Sequence, residues 1–405
     1  MIKVQDRFIK YVKIDTQSDP RSNTSPTTMK QKNLGKILVE ELHEIGVSNA
    51  YLDDYGYVYA KLDGNCDAKE IGFIAHMDTA PDYTGKDVKP RIIENYDGKD
   101  IELSEDVILK IAEFPEMPNL VGKDIIVTDG HTLLGADDKA GIAEIMAMVE
   151  HLVTNPDVKH GLIHICFTPD EEVGKGTANF NLKQFTAEFA YTVDGGSVDC
   201  IDYENFNAAS AEIEIEGVSI HPGSAKDKMI NAANIAIEYI NLLPVHKRPE
   251  HTEGYDGFYH LGNITGNLNT ASIEYIIRNH DEKLFAQQKQ LLLDCAEFIN
   301  KKYNKELVKI SIKDTYANMK KHFEDKMYII DIAQEAIKEV GLTPRNIAIR
   351  GGTDGAMLTY MGIPCPNLGT GGGNVHGRYE YCCIQEMELA VKILLSIVRR
   401  VAHEK

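Results

Sequence analysis

Long apolar runs are missing from this sequence. No stretch of about 18 apolar residues occurs in the 405 residues, so a membrane-spanning helix is not expected. The N-terminal segment MIKVQDRFIKYVKIDTQSDP carries charges between apolar residues at helical spacing. This pattern is typical of an amphipathic helix and not of a signal peptide.

Cysteines in paired spacing are also missing. The seven cysteines are an odd number and form neither a C-x-x-C pair nor a zinc-finger spacing. This usage indicates reduced thiols and predicts a cytoplasmic location. We interpret the adjacent Cys382 and Cys383 as strand residues, because no redox motif surrounds them.

Positive charge is scarce. The chain has 43 Lys and Arg residues against 62 Asp and Glu residues, which gives a net charge of −19. Such a surface repels nucleic acid and anionic membranes, so neither is an expected partner. A small substrate that does not depend on an anionic surface fits the composition better.

The length and the hydrophobic pattern predict two domains. Helical periodicity marks residues 30–47 and 139–153, and apolar runs bounded by turn residues mark strands at IGFIAH, LIHICFT, FAYTVDGG and PCPNLG. Strands and helices alternate along this part of the chain. The pattern predicts an α/β fold with a central mixed sheet and helices on both faces, formed by residues 1–205 and 318–405.

The pattern changes near residue 206. The segment AASAEIEIEGVSI alternates with period two, as a half-exposed antiparallel strand does, and TASIEYIIRNHD repeats that pattern after a helix. A long charged helix over about 282–303 and a further strand follow. Residues 206–317 are therefore predicted to form an inserted α+β domain.

Side chains of the metal-ligand type follow the ends of the predicted strands and precede a predicted helix. The carboxyl ends of strands in open α/β sheets are where ligands bind, so we expect these side chains to converge. The group contains two histidines and several carboxylates, namely His76, Asp78, Asp137, Asp138, Glu171, Glu172, Asp194 and His376.

This donor set favours two divalent ions. Histidine and carboxylate ligands without cysteine suit Zn²⁺, Co²⁺ or Mn²⁺, and their number exceeds one tetrahedral site. Two ions that share a carboxylate are typical of two-metal hydrolases. In the adjacent pair Glu171 and Glu172, one residue can bind metal while its neighbour acts as a general base. Strand geometry would also let Asp78 accept a hydrogen bond from His76 and fix its tautomer.

Several long motifs reveal a resemblance to a known family. These motifs are HMDTAPD, LLGADDKAGIAEI, FTPDEEVGKG, YTVDGG, HPGSAK, IRGGTDGA, PCPNLGTGG and VHGRYE, and they extend over essentially the whole chain. With them, the sequence closely resembles the co-catalytic dizinc metallopeptidases, which include carboxypeptidase G and succinyl-diaminopimelate desuccinylase, and within them the tripeptide aminopeptidases.

The resemblance implies a role for each residue of the metal centre and two Zn²⁺ ions per chain, for which Co²⁺ or Mn²⁺ can substitute. One ion is expected on His76 and Asp194, and the other on Glu172 and His376. Asp137 is expected to bridge the two ions. Glu171 is the expected general base and acid, and Asp78 is expected to orient His76. A cis peptide bond between Asp137 and Asp138 is also implied.

The resemblance further implies that the inserted domain serves as a lid and a dimerisation domain, so a homodimer is expected. In it, His221 is expected to stabilise the tetrahedral intermediate, in its own subunit or in the partner. The residues expected to bind the carboxylate of a small peptide substrate are Arg278, Arg350 and the backbone at Gly352, with Asn263 as a further candidate.

The implied activity is removal of the N-terminal residue from tripeptides. A dizinc dipeptidase, a carboxypeptidase and an N-acyl amino acid deacylase remain alternatives, because all of them use the same metal centre. A non-catalytic metal-binding protein would lack the base or a ligand, and neither is missing here. Residues 79–136 are predicted to be a long loop that walls the cleft and limits substrate length.

Overall fold

The computed structural model describes residues 2–403, which fold into two compact units. The first unit contains the chain up to Tyr203, residues His322–Ile347 and the chain from Thr353 onward. The second unit contains Glu204–Lys321 and Ala348–Gly352.

The α-helices and strands are numbered in chain order. The helices are α1 Val4–Val12, α2 Gln31–Ile45, α3 Ala136–Thr154, α4 Ala232–Leu242, α5 Glu282–Tyr303, α6 Met327–Glu339, α7 Asp354–Tyr360 and α8 Ile384–His403. The strands are β1 Tyr51–Leu52, β2 Val58–Leu62, β3 Ile71–His76, β4 Arg91–Ile93, β5 Ile101–Ser104, β6 Val107–Leu109, β7 Ile125–Val127, β8 Ile163–Thr168, β9 Phe189–Gly195, β10 Ile201–Asp202, β11 Asn207–Glu216, β12 Phe258–Gly266, β13 Thr270–Asn279, β14 Val308–Tyr316, β15 Asn367–Gly369, β16 Gly372–Gly373 and β17 Tyr381–Cys383.

A seven-stranded mixed sheet forms the centre of the first unit, in the order β1-β2-β8-β3-β9-β15-β10. The four strands β8, β3, β9 and β15 are parallel, while β2 and β10 run antiparallel to their neighbours. Every residue of β3 and of β8 is buried. Their continuous apolar sequences are typical of strands whose two faces are both covered.

Helices cover both faces of this sheet. On one face, Ile74 of β3 and Cys166 of β8 pack in a cluster that includes Leu358 of α7. The residues that precede these two in their strands, Phe73 and Ile165, point to the opposite face of the sheet and are equally buried. Helix α3 packs against β3 and β9. The predicted α/β class with a central mixed sheet is confirmed.

The segment 79–136 is not the long loop that the sequence predicted. It contains the hairpin β5–β6, and its strands β4 and β7 join β16 and β17 in a second sheet of order β16-β17-β7-β4. A separate apolar cluster supports it, in which Ile101, Leu109 and Ile125 pack with Tyr381 and Cys383. The prediction failed because each strand here has only two to four residues, and the second sheet depends on the pairing of β7 with the distant β17.

The second unit is a four-stranded antiparallel sheet, ordered β12-β13-β11-β14, with α4 and α5 packed on it. The alternation seen in the sequence is realised in β11, where Ile213 and Ile215 are buried and Glu212, Glu214 and Glu216 are exposed. The buried side chains meet Ile235 of α4 and Leu292 of α5 in one apolar cluster.

The limits of the second unit follow from local contacts. The Asn205 side chain donates to the carbonyl of Ala317, and its carbonyl oxygen accepts from the backbone of Met319. Asn205 also forms a bridge with Ile349, which brings the short segment 348–352 into this unit. Sequence reasoning had placed that segment in the first domain.

Among residues 2–403, no helix has the length and apolar character needed to span a membrane.

Candidate metal centre

Three parallel strands deliver side chains to one edge of the central sheet. His76 is the last residue of β3, Asp194 lies near the end of β9, and the turn Glu171–Val173 follows β8. The carboxyl ends of neighbouring parallel strands meet at the same edge, which explains why residues far apart in sequence converge here.

A first group of donor atoms consists of His76, Asp137 and Asp194. The His76 Nε2 atom lies 2.7 Å from Asp137 Oδ1 and 3.5 Å from Asp194 Oδ1. One ligand atom from each of the three residues lies within 4.8 Å of the others. His76 is only 2 % exposed, so the group is closed off from bulk water on that side.

A second group consists of Asp137, Glu172 and His376. The His376 Nε2 atom lies 3.0 Å from Glu172 Oε2 and 3.4 Å from Asp137 Oδ2. These three ligand atoms also lie within 4.8 Å of one another. The two groups therefore share Asp137, with one carboxylate oxygen facing each histidine. The Asp137–Asp138 peptide bond is cis, which confirms that prediction.

The donor chemistry and one orphaned atom fit divalent metal ions. Glu172 Oε1 is buried and has no hydrogen-bond partner among residues 2–403. An unpartnered buried carboxylate oxygen is costly unless a cation reaches it. Both groups offer only imidazole nitrogen and carboxylate oxygen, the ligand set of Zn²⁺, Co²⁺ and Mn²⁺.

The electrostatics of the site also call for positive charge. Burial, with the Asp194 charge as the next cause, raises the pKa of Glu171 well above its ordinary value. Burial likewise raises the pKa of Glu172 and of Asp194 to about 7. Hydrogen bonds to Asp137 and Glu172 raise the pKa of His376 to about 11. The crowded carboxylates thus favour bound protons or cations.

Asp78 joins the first histidine to the turn that carries the two glutamates. The nearest partner of His76 Nδ1 is the backbone carbonyl of Asp78 at 3.0 Å, while the Asp78 Oδ1 atom lies 3.4 Å away. The Asp78 carboxylate accepts hydrogen bonds from the backbone N–H groups of Glu171 at 3.0 Å and Glu172 at 3.2 Å. Sequence reasoning had considered only the contact with His76.

Three further buried carboxylates support the site, and sequence reasoning assigned no role to any of them. Glu380 accepts from the backbone of the loop before Asp137. Asp354 accepts a 2.7 Å hydrogen bond from the Thr168 hydroxyl at the end of β8. Asp170 accepts from the Thr27 backbone and from Gln31, which ties the start of α2 to the glutamate turn. All three lie inside motifs that carry the family resemblance (FTPDEEVGKG, IRGGTDGA and VHGRYE), which was the only signal available.

The second unit contains the remaining predicted residues. His221 is exposed, and its Nδ1 accepts from the backbone N–H of Gly223 at 3.1 Å. This contact leaves Nε2 as the ring nitrogen that can donate. Asn263 is exposed at a β12 irregularity, where its side chain lies 3.4 Å from Glu274 Oε1. A Cβ atom at Gly352 would lie 2.8 Å from the Tyr316 ring, so a larger residue there would require the ring to move.

The two candidate arginines differ in their surroundings. The Arg350 guanidinium donates to the carbonyls of Gly254 at 2.7 Å and Asp256 at 3.0 Å, and to the Thr252 hydroxyl at 2.9 Å. Arg278 uses one terminal nitrogen, Nη1, to reach the carbonyl of Ile277 at 2.9 Å. Arg350 therefore holds a loop together, whereas Arg278 keeps more of its donors available.

The fold and the paired donor groups define the class of the protein. Residues 129–400 match the peptidase family M20/M25/M40, and the chain belongs to this family. Within it, the similarity is to peptidase T. The peptidase T of Caldanaerobacter subterraneus subsp. tengcongensis is 53 % identical over 402 residues, which cover 98 % of each chain. The family resemblance found in the sequence is confirmed.

Solved structures share the fold. The aminopeptidase PepT of Bacillus cereus superposes with a TM-score of 0.78 at 23 % identity, covering 99 % of this chain and 98 % of the other. A tripeptidase of Staphylococcus aureus gives a TM-score of 0.79 at 23 % identity, with the same coverage. The architecture thus extends over the full length of these proteins.

Proposed function

We propose that the protein is a metal-dependent aminopeptidase that releases the N-terminal residue from tripeptides. The observation that carries this proposal is the pair of donor groups that share Asp137, with the half-buried Glu171 beside the ligand Glu172. The names of the similar proteins, peptidase T, aminopeptidase PepT and tripeptidase, support the same substrate class.

We assign one ion to His76 and Asp194, the other to Glu172 and His376, and the shared position to Asp137. Two zinc ions, with cobalt or manganese as substitutes, would supply Lewis-acid polarisation of the scissile carbonyl and lower the pKa of the attacking water. Asp78 orients His76 through its backbone carbonyl and holds the glutamate turn through its carboxylate.

Glu171 is the general base in this proposal. Its carboxylate takes the proton of the attacking water and then passes that proton to the amine that leaves. Burial raises the pKa of Glu171, and a carboxylate with a raised pKa is a stronger base toward the proton of the water. His221 Nε2 is the proposed donor to the oxyanion, acting in its own subunit or in the partner of a homodimer.

Arg278 is the favoured partner for the carboxylate at the end of a tripeptide, since its guanidinium retains donors that can bind a carboxylate in a bidentate manner. Arg350, the backbone at Gly352 and Asn263 are secondary candidates. We further propose that the second unit acts as the lid and dimerisation domain and that the protein works in the cytoplasm.

Products of a peptide with three different residues test the direction of cleavage. Met-Ala-Ser should yield free methionine and Ala-Ser, N-acetyl-Met-Ala-Ser should remain intact, and chelation should abolish turnover until Zn²⁺ or Co²⁺ is restored. Release of serine would instead support the alternative of a carboxypeptidase. Cleavage of the acetyl group would support a deacylase, and a dipeptidase would prefer Met-Ala.

A further inference from the structure

The side chain of Glu380 accepts hydrogen bonds from residues 134–137, the loop that carries Asp137. Asp137 is the residue that belongs to both donor groups. Glu380 Oε2 accepts hydrogen bonds from the backbone N–H groups of Leu134 at 2.6 Å and Gly135 at 2.8 Å, and Glu380 Oε1 accepts from Asp137 at 3.1 Å. Glu380 is only 1 % exposed. Three backbone N–H groups thus donate to one buried carboxylate. Hydrogen bonds to a carboxylate are charge-assisted and about twice as strong as those between neutral groups.

The same glutamate lies on the segment that carries the second histidine. His376 precedes Glu380 by four residues, and the Glu380 backbone N–H closes a turn on the carbonyl of Gly377. Glu380 leads directly into β17, which pairs with β7, the strand before the Asp137 loop. Through one side chain, the loop of Asp137 is attached to the loop of His376.

The two donor groups depend on these loops to different degrees. In the first group, His76 and Asp194 lie on strands of the central sheet, which fix them independently of Glu380. In the second group, both Asp137 and His376 lie on the segments that Glu380 connects. Loss of Glu380 should therefore disturb the second group more than the first.

We propose that Glu380 is a positioning residue that sets the spacing of Asp137 and His376 and thereby the affinity of the second metal ion. This inference rests on the proposed two-metal function. It assigns Glu380 no contact with substrate and no proton transfer. Its effect reaches the metal only through the backbone of the Asp137 loop.

The test is a calorimetric titration of Co²⁺ into the metal-free, full-length protein. Wild type should bind two ions. Glu172→Gln, altered only in the second group, and Asp194→Asn, altered only in the first, identify the two binding steps. In Glu380→Gln, one of the three backbone N–H groups must face an amide NH₂ group. The affinity of the binding step assigned to the second donor group should therefore fall by about 10- to 100-fold. The affinity of the step assigned to the first donor group should change much less.

The matched control is Glu388→Gln, an exposed glutamate of α8. It should leave both steps at wild-type affinity. If Glu380→Gln does not fold, Glu380→Asp, which keeps the charge but withdraws it by one methylene, must show the same selective loss. A lower unfolding temperature with both affinities unchanged, or equal weakening of both steps, would overturn the inference. A wild type that binds fewer than two ions would instead contradict the proposed function.

Discussion

The carboxylate of Asp78 accepts a hydrogen bond from the backbone N–H of Glu171 at 3.0 Å. This bond connects Asp78, whose backbone carbonyl contacts the candidate metal ligand His76, to the proposed general base. The same carboxylate also accepts from the next residue of the turn, at 3.2 Å. The position of the base is therefore coupled to the histidine end of β3 by one buried side chain.

We expect Asp78→Asn to lower kcat more than it raises KM. The amide has one acceptor oxygen, so one of the two N–H groups of the turn must face an amide NH₂ group, and the base shifts. Loss of a partner that orients ligands and bases typically costs about 10- to 100-fold. Steady-state kinetics on Ala-Ala-Ala measure the effect, and the exposed Asp63→Asn serves as the control. Unchanged kcat in Asp78→Asn would refute the coupling.

Glu171→Gln should separate catalysis from metal binding. General base catalysis contributes about 100- to 10,000-fold, so turnover should fall by at least about 100-fold. Metal content should stay near two ions per chain, because Glu171 is assigned to neither donor group. Glu172→Gln is the paired variant and should lose metal. Metal analysis of both variants decides the assignment, and loss of metal from Glu171→Gln would reverse the two roles.

The sequence predicted much of the fold because the relevant patterns are long. The 22-residue helix α5 was located by its charged, helical period, and β3 and β8 were located by continuous apolar runs. The sheet of the segment 79–136 was missed, since the pattern in β4 and β7 covers only three residues each. Its core depends on Tyr381 and Cys383, which no local pattern connects to it.

The candidate metal ligands were recognisable from residue type and position after strands, but their supporting contacts were not. Alternation along β3 suggested that Asp78 points toward His76, yet the strand ends at His76. Beyond that point the alternation no longer applies, and the Asp78 carboxylate accepts hydrogen bonds from the turn Glu171–Val173 while its Oδ1 lies 3.4 Å from His76 Nδ1. Glu380 was missed because its partners are backbone N–H groups, which no sequence motif displays.

Glu144 in α3 should destabilise the folded protein as pH rises. It is fully buried, and neither carboxylate oxygen has a hydrogen-bond partner among residues 2–403. Burial raises the pKa of Glu144 well above its ordinary value. The folded state therefore holds the proton more tightly than the unfolded state, so stability falls as pH rises above the ordinary pKa of about 4.3.

Glu144→Met removes this ionisable group at similar volume, and its advantage in unfolding temperature over wild type should grow from pH 5 to pH 8. The gain in unfolding free energy at pH 8 should be about 1–3 kcal/mol. Thermal unfolding followed by circular dichroism measures it. Glu40→Met, on the exposed face of α2, should show no such growth. A difference that does not depend on pH would contradict the prediction.

Substitutions of the two arginines of the second unit should have different effects, one on stability and the other on substrate preference. Arg350→Lys keeps the charge but loses the fork that reaches Gly254, Asp256 and Thr252, so it should lower the unfolding temperature. Arg278→Ala should leave stability nearly unchanged and reduce the preference for a free C-terminal carboxylate. The ratio of kcat/KM for Ala-Ala-Ala to that for its amide measures this preference. An unchanged ratio in Arg278→Ala would exclude Arg278 as the carboxylate partner.

Substrate length tests the central claim most directly. The measurement is kcat/KM of the metal-loaded wild type on Ala-Ala, Ala-Ala-Ala and Ala-Ala-Ala-Ala under identical conditions. If the metal centre fixes the first peptide bond and a cationic side chain binds the terminal carboxylate, only the tripeptide satisfies both. A polar group of the site that is left without its partner can lower kcat/KM for the wrong substrate by up to about 10,000-fold. We therefore predict that kcat/KM is at least about tenfold higher for the tripeptide. Equal kcat/KM for the three peptides would contradict the account.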